Sequence, residues 1–388
     1  MAKSIYIHLP FCKSICPYCD FASFANKDAE IKSLYLKALQ SEISVFYELY
    51  LKEEQQFPID SIFFGGGTPS IHSAEEIQMI LSHLKKYFEF SPDIEITLEA
   101  NPGTVDLNKL EAFKAAGINR LSIGAQTFNP EILSKLARGH TVEETLEIIE
   151  LIKKVNFKSW SFDLIYGLPK QTLADWQNTL DLALSVSAPH ISAYALSIEP
   201  ITPFAQIYGS NAHPDLASED ILAEMYSLTN KMLNAKSLER YEISNWSLKG
   251  HESKHNLCYW LAKEYFAFGL SAHGYFRSFR YAHTRDFDKY MSIFSQADDS
   301  IKEAFKLGSV YEDYRAINKS EALEEEIMLG LRLREGIEKR EELLNILNSE
   351  NLKNLIKDGY IIESSARLTL ADKAYFVSNA VISSLLCP

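Results

Sequence analysis

Short apolar runs alternate with stretches of helical periodicity through the first half of the chain. Six runs rich in β-branched and aromatic residues predict strands, at 4–9, 60–64, 93–99, 120–124, 159–166 and 190–196. The intervening stretches predict helices, at 28–52, 74–88, 107–116, 140–155 and 172–186, with Ser73 and Thr141 as N-caps. This alternation is typical of a parallel sheet with crossover helices, and six units favour an α/β partial (β/α)6 barrel. Functional residues of such folds lie at the carboxyl ends of the strands.

After about residue 200 the pattern loosens. Residues 236–300 mix aromatic, Ser, Asn and His residues, and we interpret them as an extension of the barrel that follows a core at 1–235. In the remaining segment, 301–388, helical patterns from Glu321, at 340–348 and at 351–357 precede a hairpin-like run at 359–370. Helices followed by a two-stranded wing predict a small winged-helix-like α+β domain at the C-terminal end.

The charge and hydropathy of the chain narrow its class. The 388 residues carry a net charge of −13, and residues 321–388 hold 8 Lys and Arg against 12 Asp and Glu, which disfavours a nucleic-acid partner. No run approaches the roughly 20 apolar residues that cross a bilayer, and no signal-peptide pattern opens the chain, so we expect a cytoplasmic protein. An anionic ligand of so acidic a chain requires a local basic pocket.

Three cysteines follow the first predicted strand in the run Cys12-Lys-Ser-Ile-Cys16-Pro-Tyr-Cys19. Thiolates at this spacing can hold three irons of a 4Fe-4S cluster and leave the fourth iron open. A zinc site, closed by a residue such as His8, or a disulfide are the alternatives that the spacing leaves open. The chain has 5 cysteines in 388 residues, and the other two, Cys258 and Cys387, lie far apart, which does not suggest a disulfide scaffold.

Further polar residues and glycines stand where the predicted strands end. The run Phe64-Gly-Gly-Gly-Thr-Pro-Ser70 lets a backbone approach a ligand closely, although it lacks the Walker ending and could be a plain tight turn. Glu99, Gln126 and Asp163 end later strands, and Arg138 follows the fourth. One such carboxylate is often a helix cap or an ion-pair partner. Several together at one edge of a sheet indicate a polar small-molecule site.

With these motifs, the chain resembles the radical S-adenosylmethionine (SAM) proteins, and among them the group of oxygen-independent coproporphyrinogen III oxidases. The resemblance covers nearly the whole chain and implies that Cys12, Cys16 and Cys19 hold a 4Fe-4S cluster whose open iron is chelated by SAM. It implies that the SAM-binding residues are Tyr6, Tyr18, Gly66, Gly67, Thr68, Glu99, Gln126, Arg138 and Asp163. A zwitterion joined to a sulfonium and a ribose suits such carboxylates, an arginine and close backbone contacts.

Two branches of this group differ in their motifs. The oxidases carry a fourth cysteine two residues after the third, where this chain has Phe21, and a sizeable segment ahead of the residue equivalent to Tyr6. The run His255-Asn-Leu-Cys-Tyr-Trp260 instead resembles the signature of the heme-chaperone branch. The resemblance implies heme as a ligand, with His255 as a candidate for binding its iron. The alternative is that His255 and Trp260 are core residues with satisfied polar atoms.

The leading hypothesis is therefore a heme chaperone that delivers heme to apo-hemoproteins and has no catalytic residue. The alternative is an oxidase that decarboxylates the propionates of coproporphyrinogen III, and a third hypothesis is a radical SAM enzyme for an unrelated substrate. Pairing with a second copy and peripheral association with a membrane are further expectations.

Overall fold

A computed structural model describes residues 2–25, 27–53, 55, 57–209 and 213–386, so Cys387 lies outside the described residues. The strands are β1 Ser4–Leu9, β2 Phe11–Cys12, β3 Phe24–Ala25, β4 Ile59–Gly66, β5 Phe90–Ala100, β6 Arg120–Gln126, β7 Ser159–Tyr166, β8 His190–Ala195, β9 Glu239–Glu242, β10 Asn245–Ser247, β11 Phe266–Phe268, β12 His273–Phe276, β13 Phe279–His283, β14 Tyr311–Ala316, β15 Ile337–Glu338, β16 Ile361–Glu363 and β17 Arg367–Leu370.

The helices of the first 260 residues are α1 Ala29–Tyr50, α2 Ala74–Leu84, α3 Leu107–Ala116, α4 Pro130–Lys135, α5 Val142–Val155, α6 Leu173–Ser185, α7 Pro203–Tyr208, α8 Glu219–Asn234 and α9 Lys254–Trp260. The later helices are α10 Phe287–Phe294, α11 Asp298–Lys306, α12 Lys319–Gly330, α13 Glu341–Leu344, α14 Ser349–Lys357 and α15 Ser378–Leu386. Short 3-10 turns cover Pro69–Ile71, Pro102–Thr104 and Asp372–Ala374.

One nine-stranded sheet forms the centre of the molecule, in the order β11-β1-β4-β5-β6-β7-β8-β10-β9. The six strands predicted from the sequence are its middle, and each pairs in parallel with the next. Strand β11 adds in parallel beside β1, and β10 pairs antiparallel with β8. The predicted α/β class is confirmed, because helices connect consecutive parallel strands and the sheet stays open between β11 and β9.

The C-terminal part carries the predicted wing. Strands β15, β17 and β16 form a three-stranded antiparallel sheet beside helices α12 to α15. The predicted helix at 340–348 is shorter than expected, because α13 covers only Glu341–Leu344. The proposed limits of the three domains stay a prediction. One hydrophobic core runs from Ile5 of β1 to Leu385 of α15.

Capping explains where the crossover helices begin. The side chains of Ser73 and Thr141 accept hydrogen bonds from the backbone of Glu76 and Glu144, and both glutamates bond back to the cap backbone. These capping boxes confirm the two predicted N-caps. The loop between β6 and α5 differs from the prediction, because Asn129 caps an additional short helix, α4, ahead of Arg138.

Candidate functional site

The three motif cysteines lie at the carboxyl end of β1, where Cys12 belongs to β2 and the other two follow in a loop. All three thiols are free and line one cavity of about 470 Å³. Burial raises the pKa of Cys19 to about 11 and raises that of Cys12, and the neighbouring cysteines raise both further. Thiols held together this way lose their protons when a metal centre binds them.

A zinc ion requires its ligands to converge on one point. Within the described ranges, no three His, Cys, Asp or Glu residues are grouped to hold a single metal ion. The zinc alternative therefore gains no support from the geometry. A cubane places its cysteine ligands on separate irons at separate corners, so its sulfurs need not converge.

Hydrogen bonds to two other loops and to helix α7 hold the cysteine loop in place. They join Lys13 Nζ to Gly103 O at 2.6 Å, Ser14 Oγ to Ala137 O at 3.1 Å, and Phe204 N to Pro17 O at 2.9 Å. At its far end, Arg285 Nη2 donates to Asp20 O at 2.5 Å. The loop is thus fixed to the ends of several strands before any ligand binds, which is the preorganisation that a cofactor site requires.

The side chains of Thr68 and Arg138 donate hydrogen bonds to the cysteine sulfurs. Thr68 Oγ1 donates to Cys12 Sγ at 3.4 Å, and Arg138 Nη1 donates to Cys16 Sγ at 3.7 Å. Arg138 also donates through Nη2 to Gly124 O at 3.2 Å, whereas its buried Nε has no partner in the described part of the chain. A guanidinium beside three thiolates offsets the negative charge that they acquire when a cluster binds.

The glycine run packs directly on the segment that carries the cysteines. Gly67 N donates to Leu9 O at 2.9 Å, and Thr68 N donates to Phe11 O at 2.8 Å. A Cβ at Gly67 would lie 2.6 Å from Phe11 O, and one at Gly66, whose φ is +108°, would lie 2.6 Å from the His8 ring. These glycines therefore allow two strand ends to meet, and both also line the cavity.

Two half-buried carboxyl groups, Glu99 and Asp163, face the cavity from β5 and β7. Burial raises the pKa of Glu99 to about 8, the charge of Asp163 raises it further, and the Gly66 amide and Arg138 partly oppose the shift. Burial also raises the pKa of Asp163, whose Oδ2 accepts a hydrogen bond from Ser122 Oγ at 2.7 Å. A cationic ligand group would favour the charged form of both carboxyls.

The cavity brings together most of the residues singled out in the sequence. Its lining includes Cys12, Cys16, Cys19, Tyr18, Gly66, Gly67, Thr68, Glu99, Gln126, Arg138 and Asp163. Gln126 holds a φ of +66° at the end of β6. Tyr6 is not among the lining residues. Its ring stacks on that of Phe63 at a centroid distance of 6.2 Å, and Phe63 does line the cavity.

His255 does not reach this cavity. Its side chain is buried, with Nδ1 3.0 Å from Ser61 Oγ and Nε2 2.7 Å from Tyr259 OH. Burial lowers the pKa of His255 to about 3. Both ring nitrogens therefore lie within hydrogen-bond distance of a hydroxyl, as expected if His255 is a core residue. Heme ligation by His255 stays a prediction, and it would require the side chains packed around the ring to move.

Several polar residues of the cavity floor were not predicted. Arg120 is 3% exposed and donates through Nη1 to Ser159 Oγ at 2.9 Å and His251 O at 3.0 Å. Thr97 Oγ1 and His190 Nδ1 are buried and lack a partner among the residues described. All three unpredicted residues line the cavity below Glu99 and Asp163. Unpaired buried polar atoms are uncommon, and both of these belong to residues that line the cavity.

Comparison with known proteins agrees with this geometry. The radical SAM superfamily profile matches residues 6–183, and that of the HemN C-terminal domain matches residues 317–377. A Bacillus subtilis protein named heme chaperone HemW is 34% identical over 391 residues, 99% of each chain. A heme chaperone HemW of Haemophilus influenzae is 41% identical over 271 residues, 70% of each chain. The structure of Escherichia coli coproporphyrinogen III oxidase, HemN, superposes with a TM-score of 0.81 at 21% identity, covering 98% of this chain and 89% of that one.

The parallel sheet, the cysteine-lined cavity and the matched profile define a radical SAM protein. Within that superfamily, the chain belongs to the HemW family, as the identity to curated members over nearly its full length establishes. The likeness to the oxidase at 21% identity concerns the fold alone.

The superfamily implies a 4Fe-4S cluster and SAM, and the residues present fit both. Three free thiols and an unpaired Arg138 Nε line one cavity, and the glycine turn exposes backbone to it. A bound cluster would supply the single electron that cleaves the sulfonium C–S bond of SAM. The residues that line the cavity would position the two groups.

Proposed function

We propose that this protein is a heme chaperone that binds heme and passes it to apo-hemoproteins, and that it carries a 4Fe-4S cluster and SAM. The observation that carries the proposal is the 34% identity, over 99% of the chain, to a relative named heme chaperone HemW. The cysteine-lined cavity supports the cofactor part of the proposal. Heme is cargo in this proposal, and no group of the chain is assigned a catalytic role.

In the proposed cofactor site, Cys12, Cys16 and Cys19 bind three irons and leave one for SAM. Arg138, already in contact with Cys16 Sγ, offsets the charge of the cluster. Glu99 and Asp163 would accept hydrogen bonds from the amino group or the ribose hydroxyls of SAM, and Tyr18, Gly66, Gly67, Thr68 and Gln126 would complete the walls of its site. Tyr6 would act from behind this wall, because its ring stacks on Phe63, which lines the cavity.

The oxidase alternative shares the fold and the cofactor cavity, so neither discriminates against it. Phe21 occupies the position of the fourth oxidase cysteine, and its side chain is 68% exposed. Turnover is therefore the deciding measurement.

The test is anaerobic reconstitution of the protein with iron and sulfide, followed by parallel assays. We expect about four irons per chain, a Soret shift on titration with heme, transfer of that heme to an apo-hemoprotein and no conversion of coproporphyrinogen III with SAM and a reductant. Stoichiometric heme binding without transfer would contradict the chaperone, and coproporphyrinogen conversion would establish the oxidase.

Two cysteine variants provide a matched comparison for the cluster. Cys12→Ala removes a thiol from the cavity. Cys258→Ala removes a buried thiol that is not part of the cysteine loop and does not line the cavity. We expect the first variant to lose the cluster absorbance while remaining folded, and the second to retain its iron. A Cys12→Ala protein that keeps its full iron content and absorbance would refute the cluster assignment.

The remaining expectations concern location and assembly. None of the helices in the described ranges combines the length and the apolar character that a bilayer crossing requires. A cytoplasmic location, pairing with a second copy, peripheral membrane association and the domain limits at 235 and 300 stay predictions.

A further inference from the structure

A second cavity lies beside the cysteine loop and is lined by four lysines. Lys13, Lys27, Lys32 and Lys109 surround a space of about 400 Å³. We call this space the lysine pocket. It shares Cys12, Lys13 and Thr104 with the cofactor cavity, so the two spaces adjoin at the first cluster ligand.

The lysines of this pocket make no close ion pair with the described residues. In the described part of the chain, no carboxylate lies within the 4.0 Å of an ion pair with any of these four lysines. Lys13 and Lys109 donate to backbone carbonyls, of Gly103 at 2.6 Å and of Ser70 at 2.5 Å. Glu76 and Asp106 act on Lys109 from beyond ion-pair distance, while their oxygens bond to His72 and to the first turn of α3. Four crowded ammonium groups repel one another, and a bound anion would relieve that repulsion.

The lysine pocket also has apolar surroundings. Lys27 Nζ lies 5.8 Å from the ring centroid of Phe24 and 5.4 Å from that of Phe287, and Ile71 forms part of the wall. On the adjoining cysteine loop, Ile15 and Phe21 are 48% and 68% exposed. A ligand with an anionic edge and a large flat apolar body would match both the charge and the exposed apolar side chains.

We propose that the lysine pocket binds the two propionate carboxylates of heme, an inference that rests on the proposed function. Heme carries both propionates on one edge of an otherwise apolar macrocycle. In a chain with a net charge of −13, a pocket of four lysines without an ion-pair partner among the described residues is a local exception that suits this edge. Charge-assisted hydrogen bonds from two or more ammonium groups would fix the heme beside the cluster.

The test combines protein variants with a modified ligand. Lys27→Gln and Lys32→Gln remove the two lysines whose ammonium groups make no hydrogen bond to a backbone carbonyl within the described residues, so we expect the local fold to be retained. The matched control is Lys37→Gln, which removes an exposed lysine of α1 outside the pocket. Each reconstituted protein is titrated with heme and with its dimethyl ester in the Soret band, and tripolyphosphate is added as a competing polyanion.

We expect the double variant to bind heme about tenfold more weakly than the wild type, or about 1.4 kcal/mol. The dimethyl ester should bind the wild type and the double variant equally, and as weakly as heme binds the double variant. The reason is that the propionates and the lysines are coupled, so removing either partner removes the same interaction. Tripolyphosphate should compete with heme only in the wild type and in Lys37→Gln. Equal binding of heme and its dimethyl ester by the wild type would overturn the inference. Binding of tripolyphosphate to the lysines without displacement of heme would overturn it as well. Failure of the wild type to bind either tetrapyrrole would instead refute the proposed function.

Discussion

Replacement of Gly67 by alanine tests whether the glycine turn positions the cysteine loop. The added Cβ would lie 2.6 Å from Phe11 O and 2.8 Å from both Phe11 N and Pro10 C. All three atoms belong to the backbone, so no side chain can rotate away, and either the turn or the strand end must move. Overpacking of this kind costs typically about 1–3 kcal/mol, and the rigid neighbours place Gly67→Ala near the upper end of that range.

Movement at Gly67 also affects the cluster ligands. The adjacent Thr68 donates through its backbone to Phe11 O and through Oγ1 to Cys12 Sγ. We therefore expect Gly67→Ala to lower the free energy of unfolding by about 2–3 kcal/mol and to reduce the iron retained after anaerobic reconstitution. Urea unfolding followed by circular dichroism and a colorimetric iron assay measure the two effects.

The control for this variant is Gly308→Ala. That glycine has a φ of +70° and no atom within 4 Å of an added Cβ, so its replacement strains the backbone without a clash. It should cost about 1–2 kcal/mol and leave the iron content unchanged. A Gly67→Ala protein with wild-type stability and iron content would show that the turn does not pack against the cysteine segment.

Three further predictions follow from buried groups. In Gly124→Ala, the added Cβ would clash with Arg138 Nη2, so the guanidinium should move away from Cys16. The reduction midpoint of the cluster should then shift in an electrochemical titration, and an unchanged midpoint would contradict the contact between Arg138 and Cys16. Burial raises the pKa of Glu42 to about 8, so the folded state holds a proton that the unfolded state has already released above about pH 4.5. The free energy of unfolding should therefore fall by a few kcal/mol as the pH rises from about 4.5 to 8. Glu42→Gln should flatten this dependence in urea melts at successive pH values, and a parallel pH profile would assign the loss to other groups. His255→Ala should lower the free energy of unfolding by about 2–4 kcal/mol, since it opens a cavity and leaves polar partners unpaired, and wild-type stability in the same melts would show that the ring is not packed in the core.

The alternation of strands and helices made the central sheet predictable from sequence. Local periodicity and capping residues such as Ser73 determine each crossover unit, and parallel strands connected this way have few alternatives. Strand β11 shows where such reasoning stops. Its three residues pair with β1 across more than 250 residues, and no local pattern specifies that partner. The same holds for Arg285, which reaches Asp20 only through the tertiary fold.

The cavity lining was predictable where a residue type stands out at a strand end. Glu99, Asp163 and the cysteines were found in this way. The polar residues of the cavity floor were missed, although the sequence contains a signal for them. Polar residues recur at every second position of two strands: Thr97 stands two residues before Glu99, and Arg120 stands two residues before Ser122. Strand residues two apart face the same side, so a polar floor beneath a polar mouth could have been inferred. The buried setting of His255, by contrast, depends on Ser61 and Tyr259 and is invisible in the motif alone.

The pairing of β1 with β11 has a consequence for biosynthesis. Strand β1 lacks one of its two neighbours until Phe268 has been made, a delay of roughly 13–50 seconds at about 5–20 residues per second. During that interval, one edge of the segment leading to the cysteines is unprotected. Metal insertion in the cell should therefore be a late event, after translation has passed this point, and nascent chains halted earlier should remain colourless.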